Sequence, residues 1–279
     1  MLNGHLNYVG VEYEFECDRS ITGLRESLRK LDSFQDFTTD GSLSSTGREY
    51  ITQPLKIDLK LSDSLNQIEH ILRPNSHVDI RCGLHIHLNV GNWGPDELQM
   101  MWEFYYKIQN NLTKMVARSR VNNEYCERLP PYNRELSFEA NLYDGDEYRI
   151  ANKTGHKYDP ARDRIVNFHD FDFEDRRSVE VRLHQGTVKA KKVYNWIMIN
   201  KNLMKYAVTS NDYSLSLANF LSVAGGKDIE LERYIKKRMD RFYPGYLVQN
   251  GIKSSEPVEN ILRQKEASGN RDDLIGLEV

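Results

Sequence analysis

The chain predicts an α+β fold built on an antiparallel or mixed sheet. Polar and apolar residues alternate over 7–16, 82–90 and 178–184, the mark of strands with one face buried; strands of a buried parallel sheet read apolar throughout. Longer stretches with apolar residues spaced three or four apart lie between and after them, which predicts amphipathic helices. No internal repeat is visible, and neither a GxxxxGK[ST] loop nor a GxGxxG turn opening a helix occurs.

The elements follow in order. NYVGVEYEFE (7–16) reads as a strand. Ile21, Leu24, Leu28 and Leu31 carry helical spacing over 20–32. TTDGSLSSTG (38–47) is turn chemistry, and REYITQP (48–54) a short strand stopped by Pro54. A helix is expected over 62–73, with Ser62 as its cap and Leu65, Ile68, Ile71 and Leu72 on one face. CGLHIHLNV (82–90) is a strand, and Pro95 and Asp96 open a helix expected to run over 96–118. The segment 120–162 has weak periodicity, and so long a loop inside a domain reads as functional or unstructured. RIVNFH (164–169) and SVEVRLH (178–184) are strands; helices are expected over 190–209 and 228–241. Residues 1–250 then form one catalytic-sized domain with a lid-like insertion at 120–162, and 251–279 form a polar tail.

Composition narrows the class. The chain has 279 residues and a net charge of −3, which excludes coating nucleic acid by bulk charge. No apolar run approaches the roughly 20 residues of a membrane span, and the N-terminal residues lack the pattern of a signal peptide. The three cysteines, Cys17, Cys82 and Cys126, form no CxxC pair. That disfavours a disulfide scaffold or a thiolate zinc site and fits a reducing, cytoplasmic setting.

The strands carry the chemistry. Side chains alternate faces with a period of two, so Glu12, Glu14 and Glu16 share one face against Val11, Tyr13 and Phe15. His85, His87 and Asn89 repeat the pattern, as do Glu180, Arg182 and His184. Alone, each is consistent with a solvated sheet face. If the three polar faces coincide, carboxylates, imidazoles and a guanidinium line one floor. Oxygen ligands without sulfur suit Mg²⁺ or Mn²⁺, and Arg suits phosphate oxygens. Glu49, just after the Asp40 turn, is a candidate fourth carboxylate.

The ordered set GVEYEFE, DGSL…GREYITQPL, CGLHIHLNV and SVEVRLHQGT resembles the amidoligases, members of the carboxylate–amine ligase superfamily with glutamine synthetase and glutamate–cysteine ligase. The resemblance runs from about residue 8 to about residue 205. It implies a curved antiparallel sheet forming a funnel, helices on its outer face, and ATP with Mg²⁺ or Mn²⁺ as cofactors. It implies transfer of the γ-phosphate to a carboxylate and displacement of phosphate by an amine. By this likeness Glu12, Glu14, Glu49 and Glu180 are metal ligands. His85 and His87 touch nucleotide phosphates or a metal, His85 the better candidate. Arg182 stabilises the transferring phosphoryl or binds a substrate carboxylate, and Arg120, Arg164 and Asn167 contact nucleotide or substrate. The partners are a small amino-acid-like carboxylate and an amine acceptor, either of them free or carried on a peptide or other macromolecule. The insertion lacks a counterpart to copy, so Lys153 and His156 within it stand only as possible contacts. The competing readings are a guanidino phosphotransferase, a zinc hydrolase built on the two histidines, and a binding module that has kept the fold.

Overall fold

The computed structural model describes residues 6–91, 93–121, 123–136, 138, 141, 163–168, 177–210 and 212–254. The insertion from 142 to 162, with Lys153 and His156, and residues 255–279 lie outside the described residues.

The sheet is assembled around its first strand, β1 (Tyr8–Cys17). Helix α1 (Ile21–Leu28) follows, and the Ser20 side chain accepts the Gly23 amide at its start. Next come β2 (Phe34–Thr38), β3 (Gly47–Thr52) and the two-residue β4 (Leu55–Lys56). Helix α2 (Leu61–Leu72), the two-residue β5 (Ser76–His77) and β6 (Gly83–Asn89) lead to α3 (Pro95–Thr113). After a 3₁₀ turn at Arg118–Arg120 come β7 (Val166–Asn167) and β8 (Ser178–Gln185). Four helices close the described chain: α4 (Ala190–Thr209), α5 (Leu217–Gly225), α6 (Ile229–Phe242) and α7 (Tyr246–Gln249).

The strand order is β2-β3-β1-β6-β8-β7, with β4 and β5 pairing the two ends of β1. Every strand pairing among the described residues is antiparallel. One face is apolar: Val9, Val11, Tyr13 and Phe15 of β1, Leu84, Ile86 and Leu88 of β6, and Val179 and Val181 of β8 are buried in one core. Helix α4 packs on α2, α3 and α5 there, bringing Trp196, Ile199 and Leu203 into that core. Burying each such side chain stabilises the fold by about 1.5–3 kcal/mol. A one-residue slip of β1 would put Glu12, Glu14 and Glu16 into the core, so the apolar set locks the register that aims them outward.

Several expectations are corrected. Ser62 is not the cap of α2; it lies inside the first turn, and the residue before the helix, Lys60, has its amide held by Asp58. The helix expected to reach 118 ends at Thr113, where Lys114 turns its amide to Asn111 and Leu112. The strand expected over 164–169 pairs with β8 at Val166 and Asn167, and Arg164 makes an isolated parallel bridge to Glu127. Strand β2 and helix α5 were not anticipated: FQDFT buries only Phe37 fully, as suits a polar edge strand, and α5 is a short segment capped by Ser216.

His184 is the correction that bears on function. Between β6 and β8 the register shifts: Ile86 faces Val181, but Leu84 faces His184. One residue, His85, is thus set against two, Arg182 and Leu183, which is a β-bulge. The extra residue reverses the alternation, and His184 emerges on the core face. It is fully buried, with its ring 5.1 Å from that of Trp196 and Nδ1 2.6 Å from the Gln185 carbonyl oxygen. Burial and the nearby Arg238 push its pKa well down, so a neutral imidazole packs there. It does not join Glu180 and Arg182.

Candidate active site

The opposite face collects the charged residues. Direct cross-strand neighbours share a face, and here Glu14 stands opposite Glu49, Glu12 opposite His85, His87 opposite Glu180, and Glu180 opposite Asn167. Five strands therefore supply this face around His85, which is almost wholly buried. Its Nδ1 lies 3.2 Å from Glu12 and 3.3 Å from Glu180, and its Nε2 3.4 Å from Glu14. His87 Nε2 is 2.9 Å from the other oxygen of Glu12.

Arg182 is the guanidinium of this cluster. Its Nη1 donates to Glu180 at 2.7 Å and its Nε to the Tyr125 carbonyl oxygen at 3.3 Å. Burial opposes its charge, but Glu180 and Glu12 more than offset that and hold it protonated. The second Glu180 oxygen accepts from Asn167 at 2.8 Å. Arg120, almost fully buried, donates to the Arg182 carbonyl oxygen at 2.8 Å and so braces the bulged stretch of β8.

Gly83 makes room for this packing. A Cβ there would stand 2.7 Å from His85 Nε2, 3.1 Å from Glu14 Oε2 and 3.2 Å from Arg120 Nη2. Its amide also donates to Glu14. Sequence reading passed over this glycine, because its role depends on two side chains from distant segments.

The carboxylates outnumber the cations. Among the described residues, Arg182 is set against Glu180, Glu12 and Glu14, and Glu49 adds a fourth carboxylate to the cluster. Burial, with Glu12, Glu14 and Asp40 beside it, pushes the Glu49 carboxyl up to about 10. Burial works against Glu12 too, yet His87 and His85 hold it well below the usual carboxylate range. A bound divalent cation would relieve this crowding. Two groups of facing donor atoms lie within 4.8 Å of one another: Glu12, His85 and Glu180, and Glu14, Glu49 and His85. These oxygen-rich sets with a shared imidazole fit Mg²⁺ or Mn²⁺.

A third such group, Glu16, Asp79 and Cys82, differs in kind. Glu16 accepts from the hydroxyls of Ser44 and Thr46 and lies 3.1 Å from Arg81 Nη2. It ties the 40–47 turn to β1. Cys126, like the other two cysteines, is buried and unpaired; burial raises its thiol to about 11, so it is a poor nucleophile.

The structure thus brings together Glu12, Glu14, Glu49, His85, His87, Asn167, Glu180 and Arg182, with Arg120 one layer behind. The Arg164 guanidinium lies 5.0 Å from the Trp102 ring, which stacks on Phe168.

An antiparallel sheet that gathers four carboxylates from three strands around a histidine, with an arginine clamped to one of them, defines a candidate metal-dependent enzyme site. A family model described as "Putative amidoligase enzyme" matches residues 7–204. The chain belongs to this amidoligase family. Among solved structures, it is similar to a chain in the crystal structure of the complex between the prokaryotic ubiquitin-like protein Pup and its ligase PafA. The identity is 10% and the TM-score 0.36, over 94% of this chain and 63% of that one. The chain thus spans less than two thirds of that neighbour's length. No curated protein matches it significantly. No described helix is long and apolar enough to cross a membrane.

Proposed function

We propose that this chain is an ATP- and Mg²⁺-dependent carboxylate–amine ligase that forms an amide or isopeptide bond through an acyl phosphate. The observation that carries this reading is the convergence of Glu12, Glu14, Glu49 and Glu180 about His85, with Arg182 fixed by Glu180 at 2.7 Å. Membership of the amidoligase family supports it. On this reading the catalytic domain is residues 1–250 and the sheet wraps into a funnel around the site. The setting is cytoplasmic.

A carboxylate is a poor acyl donor because oxide is a poor leaving group. Its oxygen attacks the γ-phosphorus of ATP, the bond to the β-γ bridging oxygen breaks, and ADP leaves. The amine then attacks the acyl carbon, phosphate departs, and the amine gives up a proton. Glu12, Glu14, Glu49 and Glu180 would hold Mg²⁺ or Mn²⁺, which would supply neutralisation of phosphate charge. Arg182 supplies a planar fork to the transferring phosphoryl or a substrate carboxylate. His85, common to both donor sets, and His87 would contact the metal or the phosphates. Asn167 fixes the Glu180 carboxylate, and Arg120 keeps the backbone at Arg182 in place. A cavity of about 610 Å³ opens from Glu12 and His87 along Tyr8, Ile51, Gln53 and Asn89, and has room for a substrate beside the cluster.

The test is thermal unfolding with a non-hydrolysable ATP analogue and Mg²⁺, each alone and together. A ligand at 100 times its Kd adds about 2.7 kcal/mol. A shift that needs both, followed by ADP release with a carboxylate and an amine, is the expected result. No shift at millimolar ligand, with zinc retained through dialysis, would replace the ligase by a zinc hydrolase. A phosphorylated guanidine among the products would replace it by a phosphotransferase.

A further inference from the structure

A second cavity, of about 450 Å³, lies where the 40–47 turn, the loop before β6 and the 118–125 segment meet. Among the described residues, Arg81 and Arg118 are its cations, Glu124 its acid, and Ser42, Asn123, Ile80 and Tyr125 complete its main walls. It borders the catalytic cluster at two points. The Tyr125 carbonyl oxygen holds Arg182 Nε. Arg81 is oriented by Asp79 at 2.6 Å and by Glu16 at 3.1 Å, two residues along β1 from Glu14.

Outside this cavity the cations continue. Lys114 Nζ stands 4.0 Å from the Tyr243 ring centroid and 5.5 Å from that of Tyr246, and Arg118 lies 5.3 Å from Tyr243. Arg128 Nη1 is held by Asn110, one helical turn before Lys114, at 2.8 Å. Burial, Arg118 and Arg128 together lower the pKa of Lys114, which shows how closely the three charges are set. Elsewhere on the surface Arg73, Arg134, Arg233 and Lys236 each pair with a carboxylate. Lys114, Arg118 and Arg128 make no ion pair with a carboxylate among the described residues. They rest on two aromatic rings and an amide, in a chain whose net charge is −3.

We propose that the Arg81–Arg118 cavity and the Lys114–Arg118–Arg128 surface bind an acidic peptide segment that delivers the carboxylate substrate to Arg182. The binding surface stands on its own observations; the delivery role rests on the ligase reading. Cations crowded without counter-ions cost stability, and an incoming carboxylate removes that cost. Arginine forks suit carboxylates, and serine and asparagine walls suit a peptide backbone. A nucleic acid repeats its charge over a long track, whereas the cavity that continues this basic surface is small and carries an acid, Glu124, in its wall.

The experiment is fluorescence anisotropy of fluorescein-labelled hexaglutamate on the full chain, in low and high salt, without nucleotide. Wild type should bind saturably. Charge reversal in the Arg118→Glu/Arg128→Glu double variant should weaken binding by about tenfold or more, as should raising salt from 50 to 300 mM. An unaltered circular dichroism spectrum of the double variant checks that it folds, and single Lys114→Gln provides a milder second variant. Hexaglutamine should not compete. Absence of binding at millimolar hexaglutamate, equal affinity for free glutamate, or tighter binding of a six-nucleotide DNA strand would each overturn the proposal. Hexaglutamate binding by a chain that ignores ATP and Mg²⁺ would keep this surface and sink the ligase reading. ADP formation by a chain blind to hexaglutamate would do the reverse.

Discussion

Glu14 and Glu16 sit two residues apart on one face of one strand, and both are buried. Glu16 is surrounded by donors: two hydroxyls, an amide and Arg81. Burial works against its charge, but these partners win and hold its carboxyl below the ordinary range. Glu14 faces Glu49 across the strand pair, accepts from the Gly83 amide and shares His85 with Glu12. Its neighbour Glu49 is driven up to about 10. A carboxylate met by neutral donors and a cation is already complete, and acts as a tie in the fold. Carboxylates set against each other cost stability and need a cation to complete them. The same residue type, spacing and face thus serve structure at one end of β1 and the proposed chemistry a few ångströms away.

The largest effect should come from Glu14→Gln or Glu180→Gln, which remove charge at almost constant volume. Turnover should fall by roughly 10²- to 10³-fold or more with the unfolding temperature preserved; near-normal ADP release from both would remove the cluster from the chemistry. Arg182→Lys should follow, at about 10²-fold, because an ammonium cannot bridge Glu180, the Tyr125 carbonyl and a phosphoryl at once. Wild-type kinetics in that variant would make Arg182 a strut of the bulge.

Glu49→Gln sharpens the contrast through pH. In the metal-free chain the folded Glu49 carboxyl titrates at about 10 against an ordinary 4.5. The folded state therefore keeps a proton that the unfolded chain releases first, and stability falls as pH rises between those values. The variant should flatten that fall, raise the metal-free unfolding temperature at pH 8, and lose the Mg²⁺-induced shift. In wild type the Mg²⁺ shift should grow from pH 5 to pH 8. A variant less stable than wild type at pH 8, still stabilised by Mg²⁺, would contradict this account of the cluster. Glu16→Gln should have the smallest catalytic consequence and the opposite sign on stability. Losing charge-assisted bonds to Ser44, Thr46 and Arg81 should cost about 1–2 kcal/mol while the Mg²⁺ shift remains. Loss of that shift would show that Glu16 belongs to the cluster after all.

Much of the site could be read from one-dimensional pattern. Alternation in VGVEYEFE, CGLHIHLNV and SVEVRLH assigned Glu12, Glu14, His85, His87, Glu180 and Arg182 to strand faces that the sheet places together. What failed had local causes. Alternation cannot see a bulge, so His184 was assigned to the polar face although it packs against Trp196. Helical periodicity continued past Thr113 because Met115 and Val116 are buried even though the helix has ended. Arg164, a ligand contact by its likeness to the family's motif, has its guanidinium over Trp102, which stacks on Phe168.

The sequence by itself determined which residues share a strand face, since a period of two is a local property of the extended backbone. It determined as well the excess of carboxylates that calls for a cation, because residue type carries charge wherever the chain goes. Only the tertiary structure decided which acids were completed and which were not. Glu16 met Ser44, Thr46 and Arg81 from two loops, while Glu12, Glu14, Glu49 and Glu180 met mainly one another, His85 and Arg182. Gly83's clearance for His85 and Glu14, and the gathering of Lys114, Arg118 and Arg128 around Tyr243, likewise depend on distances between remote segments, which no local pattern encodes.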